Sequence, residues 1–242
     1  MNKRNLIWKR ILLKISGEGM CMPGGSGIDP EQVDYVAAET SEILQMGAEV
    51  ALVIGGGNIV RGSQFAKRGL TKATADHMGM LATVINALAL QDCLENHYNV
   101  ETRVMTAIGM SDVAEPYIRR RALRHLEKGR LIILAAGTGN PYFTTDTAAA
   151  LRACEIGCEV ILKATKVDAV FTSDPVIDPS AKKHDHLNYM QVLNDKLKVM
   201  DSTAITMCMD NNMPIIVFNL TKKGNIKRVL TGEQVGTLIN GE

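Results

Sequence analysis

The chain has 242 residues, 46% hydrophobic and 22% charged, with 27 Lys+Arg against 26 Asp+Glu and a formal net charge of +1. That length suits one or two domains and allows a sizeable core without disulfide or metal staples. The composition excludes disordered and fibrous classes, and the balanced charge lacks the basic excess of a nucleic-acid binder.

Residues 11–15 (ILLKI) read as a buried strand, a short branched apolar run that stops at Ser16-Gly17. Residues 30–46 read as a helix, with Asp29 as its cap, Pro30 at the first position and Gly47 as its stop. Residues 49–54 (EVALVI) form a second strand ending in Gly55-Gly56-Gly57. Residues 76–93 are apolar nearly all round and predict a central helix, 100–107 a strand, and 115–128 a basic amphipathic helix ended by Gly129. Residues 131–136 (LIILAA) are a third strand, running into Gly137-Thr138-Gly139-Asn140-Pro141. A helix over 147–157 follows, with Thr145 or Asp146 near its start, then a strand over 160–162 and Lys163. Residues 192–213 read as mostly helical, 215–219 as a strand, 226–230 as a short helix and 237–239 as a last strand. Continuous apolar strands alternating with helices predict an α/β three-layer sandwich, a mostly parallel sheet covered on both faces.

The five cysteines, Cys21, Cys93, Cys154, Cys158 and Cys208, are odd in number and scattered, which argues against a disulfide framework and for a reducing cytoplasm. Cys154 and Cys158 are spaced to share a helix face, but no second pair completes a zinc set. The histidines show no metal-ligand spacing among themselves, and His184 and His186 fall in a polar loop. No apolar run nears the roughly 20 residues that span a bilayer, so no membrane partner is expected.

Ligands of open α/β sheets bind beyond the carboxyl ends of strands. Three strand ends here carry glycine turns: Lys14-Ile15-Ser16-Gly17, Gly55-Gly56-Gly57 with Arg61 close behind, and Gly137-Thr138-Gly139-Asn140. Glycines let backbone N–H groups approach phosphate oxygens. The dinucleotide fingerprint fails, because Val60 stands at its third glycine, and the P-loop fails, because Ser63 stands where Lys is required. Asp76 and Asp146 each have a plain reading as helix N-caps. The alternative places Lys14, Lys163 and Asp146 around a phosphate, as phosphoryl transfer requires.

The motifs KISGE at 14–18, IGGGN at 54–58 with Arg61, DHMGM at 76–80, AGTGNPYFTTD at 136–146 and KATKVDAVFTSDP at 163–175 resemble the uridylate kinase branch of the amino acid kinase family. The resemblance implies a single domain, with an acceptor-side lobe over about 1–150 and an ATP-side lobe over about 151–242. It implies transfer from ATP to UMP, catalysed through Lys14, Asp146 and Lys163. By resemblance, ATP meets Lys14, Ile15, Ser16, Gly17, Gly57, Arg61, Thr165, Phe171 and Asp174. UMP meets Gly56, Asp76, Thr138, Gly139, Asn140, Pro141, Tyr142, Phe143, Thr144 and Thr145. It further implies Mg²⁺ carried by ATP phosphates, a homohexamer, inhibition by UTP and activation by GTP. Arg103 and Arg130, which flank predicted strands, are candidates for the GTP site and read equally well as solvated surface charges. MCMPGGS at 20–26 and the stretch 110–124 depart from the family pattern. Two rivals stay open: a kinase of the same fold acting on a carboxylate or carbamate, and a nucleotide sensor without activity.

Overall fold

A computed structural model describes residues 6–61, 69–173, 177–178 and 180–241. Strand β1 (Arg10–Ile15) leads through a short 3₁₀ turn to helix α1 (Pro30–Gln45), capped by Asp29, and then to β2 (Glu49–Ile54). Helix α2 (Lys72–Tyr98), β3 (Thr102–Thr106), β4 (Glu115–Pro116), α3 (Arg119–Glu127) and β5 (Leu131–Ala135) follow. The chain continues with α4 (Thr145–Ile156), β6 (Val160–Thr165), β7 (Val170–Phe171), β8 (Lys183–His184) and β9 (His186–Asn188). It closes with α5 (Tyr189–Asn194), α6 (Ser202–Asp210), β10 (Ile215–Asn219), α7 (Asn225–Leu230) and β11 (Thr237–Asn240).

Nine strands form one sheet in the order β4-β3-β5-β2-β1-β6-β10-β11-β9, and β7 pairs with β8 apart from it. Every neighbouring pair in the large sheet is parallel except β10 with β11. Side-chain alternation splits the core into two layers. Ile11, Leu13 and Ile15 pack with α1, α2 and α7, while Leu12 packs with α3, α4, α5 and α6 on the other face. The three-layer architecture is therefore as the sequence predicts, and no helix of the described residues is long and apolar enough to cross a membrane.

Several boundaries differ for local reasons. Helix α2 starts at Lys72 because the Thr71 hydroxyl caps it, so Asp76 is no cap. Helix α4 is capped by Thr144, which accepts from the N–H groups of Asp146 and Thr147, so Asp146 is no cap either. Gly157 ends α4 in a left-handed conformation and leaves Cys158 beyond the helix, off the face of Cys154. Glu115–Pro116 pair as a short edge strand, where a missing N–H is tolerated, and α3 begins only at Arg119. The expected helix over 192–213 breaks at Lys196, which has φ +51°, and resumes behind the Asp201 cap. His184 and His186 lie in β8 and β9 rather than in a loop.

Candidate functional site

The parallel register of β1 and β6 sets Lys14 beside Lys163. Both side chains face the α4 layer, since each stands between residues of the opposite core cluster. Two ammonium groups side by side repel unless an anion separates them. Asp146, in the first turn of α4, supplies it. Lys14 Nζ lies 2.5 Å from Oδ1, and Lys163 Nζ donates to Oδ2 at 2.5 Å. The Lys14 contact is an ion pair outside hydrogen-bond angles, so Oδ1 is buried with charge compensation but without an aligned donor.

Burial is the largest influence on Asp146 and favours its neutral form, but the two lysines outweigh it and hold the carboxyl below its usual range. Burial first, and then the Lys14 charge, bring Lys163 down to about 8.

Two clefts open at the carboxyl ends of these parallel strands. The smaller, about 140 Å³, is lined by Gly56, Gly57, Asp76, Thr138 and Phe143 to Thr145, among others. The larger, about 800 Å³, is lined by Lys14, Ile15, Ser16, Lys163, Thr165 and Lys166, and also by Tyr35 and Lys198. Lys14 and Lys163 thus belong to the larger cleft, while Asp146 directly follows the residues that line the smaller one.

The turns are shaped for close approach. A Cβ on Gly17 would lie 2.6 Å from Gly57 N and from Asn58 Oδ1, and a Cβ on Gly56 would lie 2.6 Å from the Gly79 carbonyl oxygen. Only glycine fits where the β1 turn, the β2 turn and α2 converge. Asn58 and Asn86 exchange amide hydrogen bonds, and Asn86 Nδ2 also donates to the Gly55 carbonyl at 2.8 Å. The loop after β5 holds Ala136 at φ +60° and Tyr142 at φ +72°, sparsely populated for residues with a Cβ. Hydrogen bonds hold it there: the Ala136 N–H donates to Thr83 Oγ1 at 2.8 Å, and the Tyr142 N–H donates to Asp76 Oδ2 at 2.7 Å.

The remaining expected residues are placed as follows. Gly57, expected on the donor side, lines the smaller cleft beside Gly56. Gly139, Asn140, Pro141 and Tyr142 lie outside the lining of that cleft. Arg61 pairs with Glu18 at 3.0 Å, and Lys166 reaches the other oxygen of Glu18, an exposed ion-pair chain whose Glu18 and Lys166 line the larger cleft. Thr165 donates to the Val167 carbonyl at 2.7 Å, and Phe171 sits in the small β7–β8 pair, outside the larger cleft. Asp174 lies outside the described residues. Arg103 and Arg130 meet on Glu101, at 3.5 and 3.0 Å, on the surface.

Sequence reading missed Thr83, Asn86, Lys198 and Asp201. Thr83 and Asn86 are polar positions within the apolar stretch 78–90 of α2, a signal available in the sequence. Asp201 accepts from Thr147 Oγ1 at 3.0 Å and from Thr144 Oγ1, tying the α4 start to the α6 cap; nothing local to Asp201 announces that long-range contact.

Comparison with known proteins places this geometry in a lineage. The structure superposes on UMP kinase from Bacillus anthracis with a TM-score of 0.94 and 42% identity, covering 97% of each chain. It superposes on UMP kinase from Ureaplasma parvum with a TM-score of 0.90 and 39% identity, covering 96% of this chain and 99% of that one. Uridylate kinase from Archaeoglobus fulgidus follows at a TM-score of 0.73 and 26% identity, covering 95% of this chain and 99% of that one. The family model described as amino acid kinase family matches residues 9–219, a span that holds the lysine–aspartate cluster, the lining of the smaller cleft, and that of the larger cleft apart from Leu220 and Thr221. This chain belongs to the amino acid kinase family.

Proposed function

We propose that this chain is a UMP kinase, catalysing ATP + UMP → ADP + UDP by direct in-line transfer. The observation that carries the reading is the buried Lys14–Asp146–Lys163 cluster, whose lysines line the larger cleft and whose aspartate directly follows Thr145 of the smaller one. The nucleophile is an oxygen of the UMP phosphate, whose second pKa of about 6 leaves it ionised at neutral pH. No general base is then required, and no histidine is among the residues lining either cleft. The remaining work is positioning and charge neutralisation. Lys14 stabilises the transferring phosphoryl group. Asp146 acts as a positioning residue, aiming Lys14 and Lys163, and the N-terminus of α4 adds favourable potential for phosphate.

The donor set does not make a carboxylate cage for Mg²⁺. Asp146 commits both oxygens to lysines, and Glu18 is shared by Arg61 and Lys166. Mg²⁺ would enter on the ATP phosphates. We assign residues of about 1–150 to the acceptor side and about 151–242 to the donor side, with the β1 end of the first segment shared by the donor cleft.

The same reading includes a homohexamer, GTP activation and UTP inhibition in a reducing cytoplasm. The half-exposed Leu81 and Ile85, one turn apart on α2, support self-association; Arg103 and Arg130 are already paired with Glu95, Glu101 and Glu115, so a GTP phosphate at that place would have to displace carboxylates. UTP should compete with UMP; inhibition that saturating UMP fails to relieve would move UTP to a separate site.

ADP release measured with ATP and UMP, then with carboxylate and carbamate acceptors, tests the function. Release that depends on UMP supports it. Release with another acceptor class, or none with UMP, refutes it.

A further inference from the structure

Away from both clefts, α1 and α2 bring three side chains of metal-ligating type to one point. Asp34 stands on α1, while Cys93 and His97, four apart, share a face of α2 near its C-terminal end. Cys93 Sγ lies 3.8 Å from Asp34 Oδ1 and 3.7 Å from His97 Nδ1, and His97 Nδ1 lies 3.6 Å from Asp34 Oδ1. Among the described residues, this is the group of three such side chains within reach of one ion.

The triangle has the size of a coordination face. Zn–S of about 2.3 Å with Zn–N and Zn–O of about 2.0–2.2 Å gives tetrahedral edges of about 3.3–3.6 Å. The observed edges are looser by only a few tenths of an ångström, within the reach of small side-chain rotations. We propose that Asp34, Cys93 and His97 form a three-ligand site for a divalent transition ion of the zinc class, with water completing the shell.

The chemistry of the donors favours that class. A thiolate and an imidazole suit zinc-like ions and not Mg²⁺ or Ca²⁺. The Tyr98 hydroxyl donates to Asp34 Oδ1 at 2.9 Å, the kind of outer partner that orients a ligating carboxylate. Cys93 is buried, whereas Asp34 and His97 are exposed, so an ion can reach the thiol from solvent. Burial and the neighbouring Asp34 hold the free thiol protonated. Binding therefore releases that proton to water as the thiolate forms. The ion would tie α1 to α2, whose other end carries Asp76 and lines the acceptor cleft. Counting histidines against one another hides this site, because the local pair is Cys-x₃-His and the third ligand comes from another helix.

The test uses chelator-washed full-length protein, titrated with Zn²⁺ against a chromogenic chelator and with Co²⁺ in the spectrophotometer. One equivalent should bind, Co²⁺ should show a thiolate charge-transfer band, and Zn²⁺ should raise the Tm. His97→Ala and Cys93→Ser should each weaken binding by more than about 100-fold, and Tyr98→Phe, an outer partner, by about 10–100-fold. His97 is 65% exposed, so its variant should fold and keep metal-free UMP-dependent activity even if Cys93→Ser does not. Absence of saturable binding, a cobalt spectrum without the thiolate band, or binding unchanged in His97→Ala would overturn the proposal.

Discussion

Asp146 lies between Lys14 and Lys163, and Glu101 lies between Arg103 and Arg130, yet the two clusters occupy different surroundings. The central anion is 16% exposed in Asp146 and 60% in Glu101, and the cations are 7% and 12% exposed in Lys14 and Lys163 against 29% and 20% in Arg103 and Arg130. Charges about 4 Å apart attract about four times more strongly at an effective dielectric of about 20 than in water. The Arg130 hydrogen bond, opposed by some desolvation, lowers the Glu101 pKa, but that cluster remains solvent-screened. The buried cluster has a sharper tension: burial drives Lys163 toward neutrality while Asp146 holds it charged. The comparison teaches that burial, and not the count of ion pairs, separates the strongly coupled Lys14–Asp146–Lys163 cluster from an ordinary surface network.

The largest expected effect is on Lys14. Lys14→Ala should lower kcat by roughly 10²–10³, as loss of one donor to developing charge does, with a much smaller change in UMP binding. Near-normal kcat would remove Lys14 from the mechanism.

Next is the alkaline limb. Lys163 in the folded chain titrates near 8, below the roughly 10.4 of an unfolded lysine. Below pH about 8 both states hold the proton and the folded state bears the burial cost; between about 8 and 10.4 the unfolded state binds more protons, so this group's contribution to stability rises with pH. Activity should move the other way, with kcat/KM falling above pH about 8 as the site loses a cation. Lys163→Arg should abolish that limb. A limb that persists in the arginine variant belongs to another group.

Thr144→Ala should cost about 1 kcal/mol through the lost cap, read from denaturant midpoints, and Thr144→Ser should recover most of it. The smallest effect is expected of Glu101→Gln, which should leave Tm and effector-free turnover unchanged. A clear loss of turnover would show that the surface cluster reports to the clefts.

Much of this was legible because buried parallel strands are continuous apolar runs that stop at glycine. Residues 11–15, 49–54 and 131–136 announce themselves in that way, and their ends mark the clefts. The site was legible as far as Lys14, Asp146 and Lys163. The sequence pointed to Thr145 or Asp146 at the start of α4 and passed over Thr144, since each of these residue types can accept a backbone N–H. The structure assigns the cap to Thr144 and frees Asp146 for the lysines. The break between α5 and α6 was hidden because residues 192–213 keep a helical composition, while a left-handed Lys196 is uncommon for a residue with a Cβ and the Asp201 cap falls inside the expected helix.

The most direct measurement is turnover of Asp146→Asn at saturating ATP and UMP, with Tm recorded on the same preparation. Asparagine keeps the shape of the side chain and removes the charge that aims the two lysines. Turnover should fall by at least about 100-fold. The Tm should also drop, because two buried ammonium groups then face each other uncompensated, and added nucleotide phosphate should restore part of it. Turnover within a few-fold of the unsubstituted chain, with only a small stability loss, would contradict the account and reduce Asp146 to a structural residue at the start of α4.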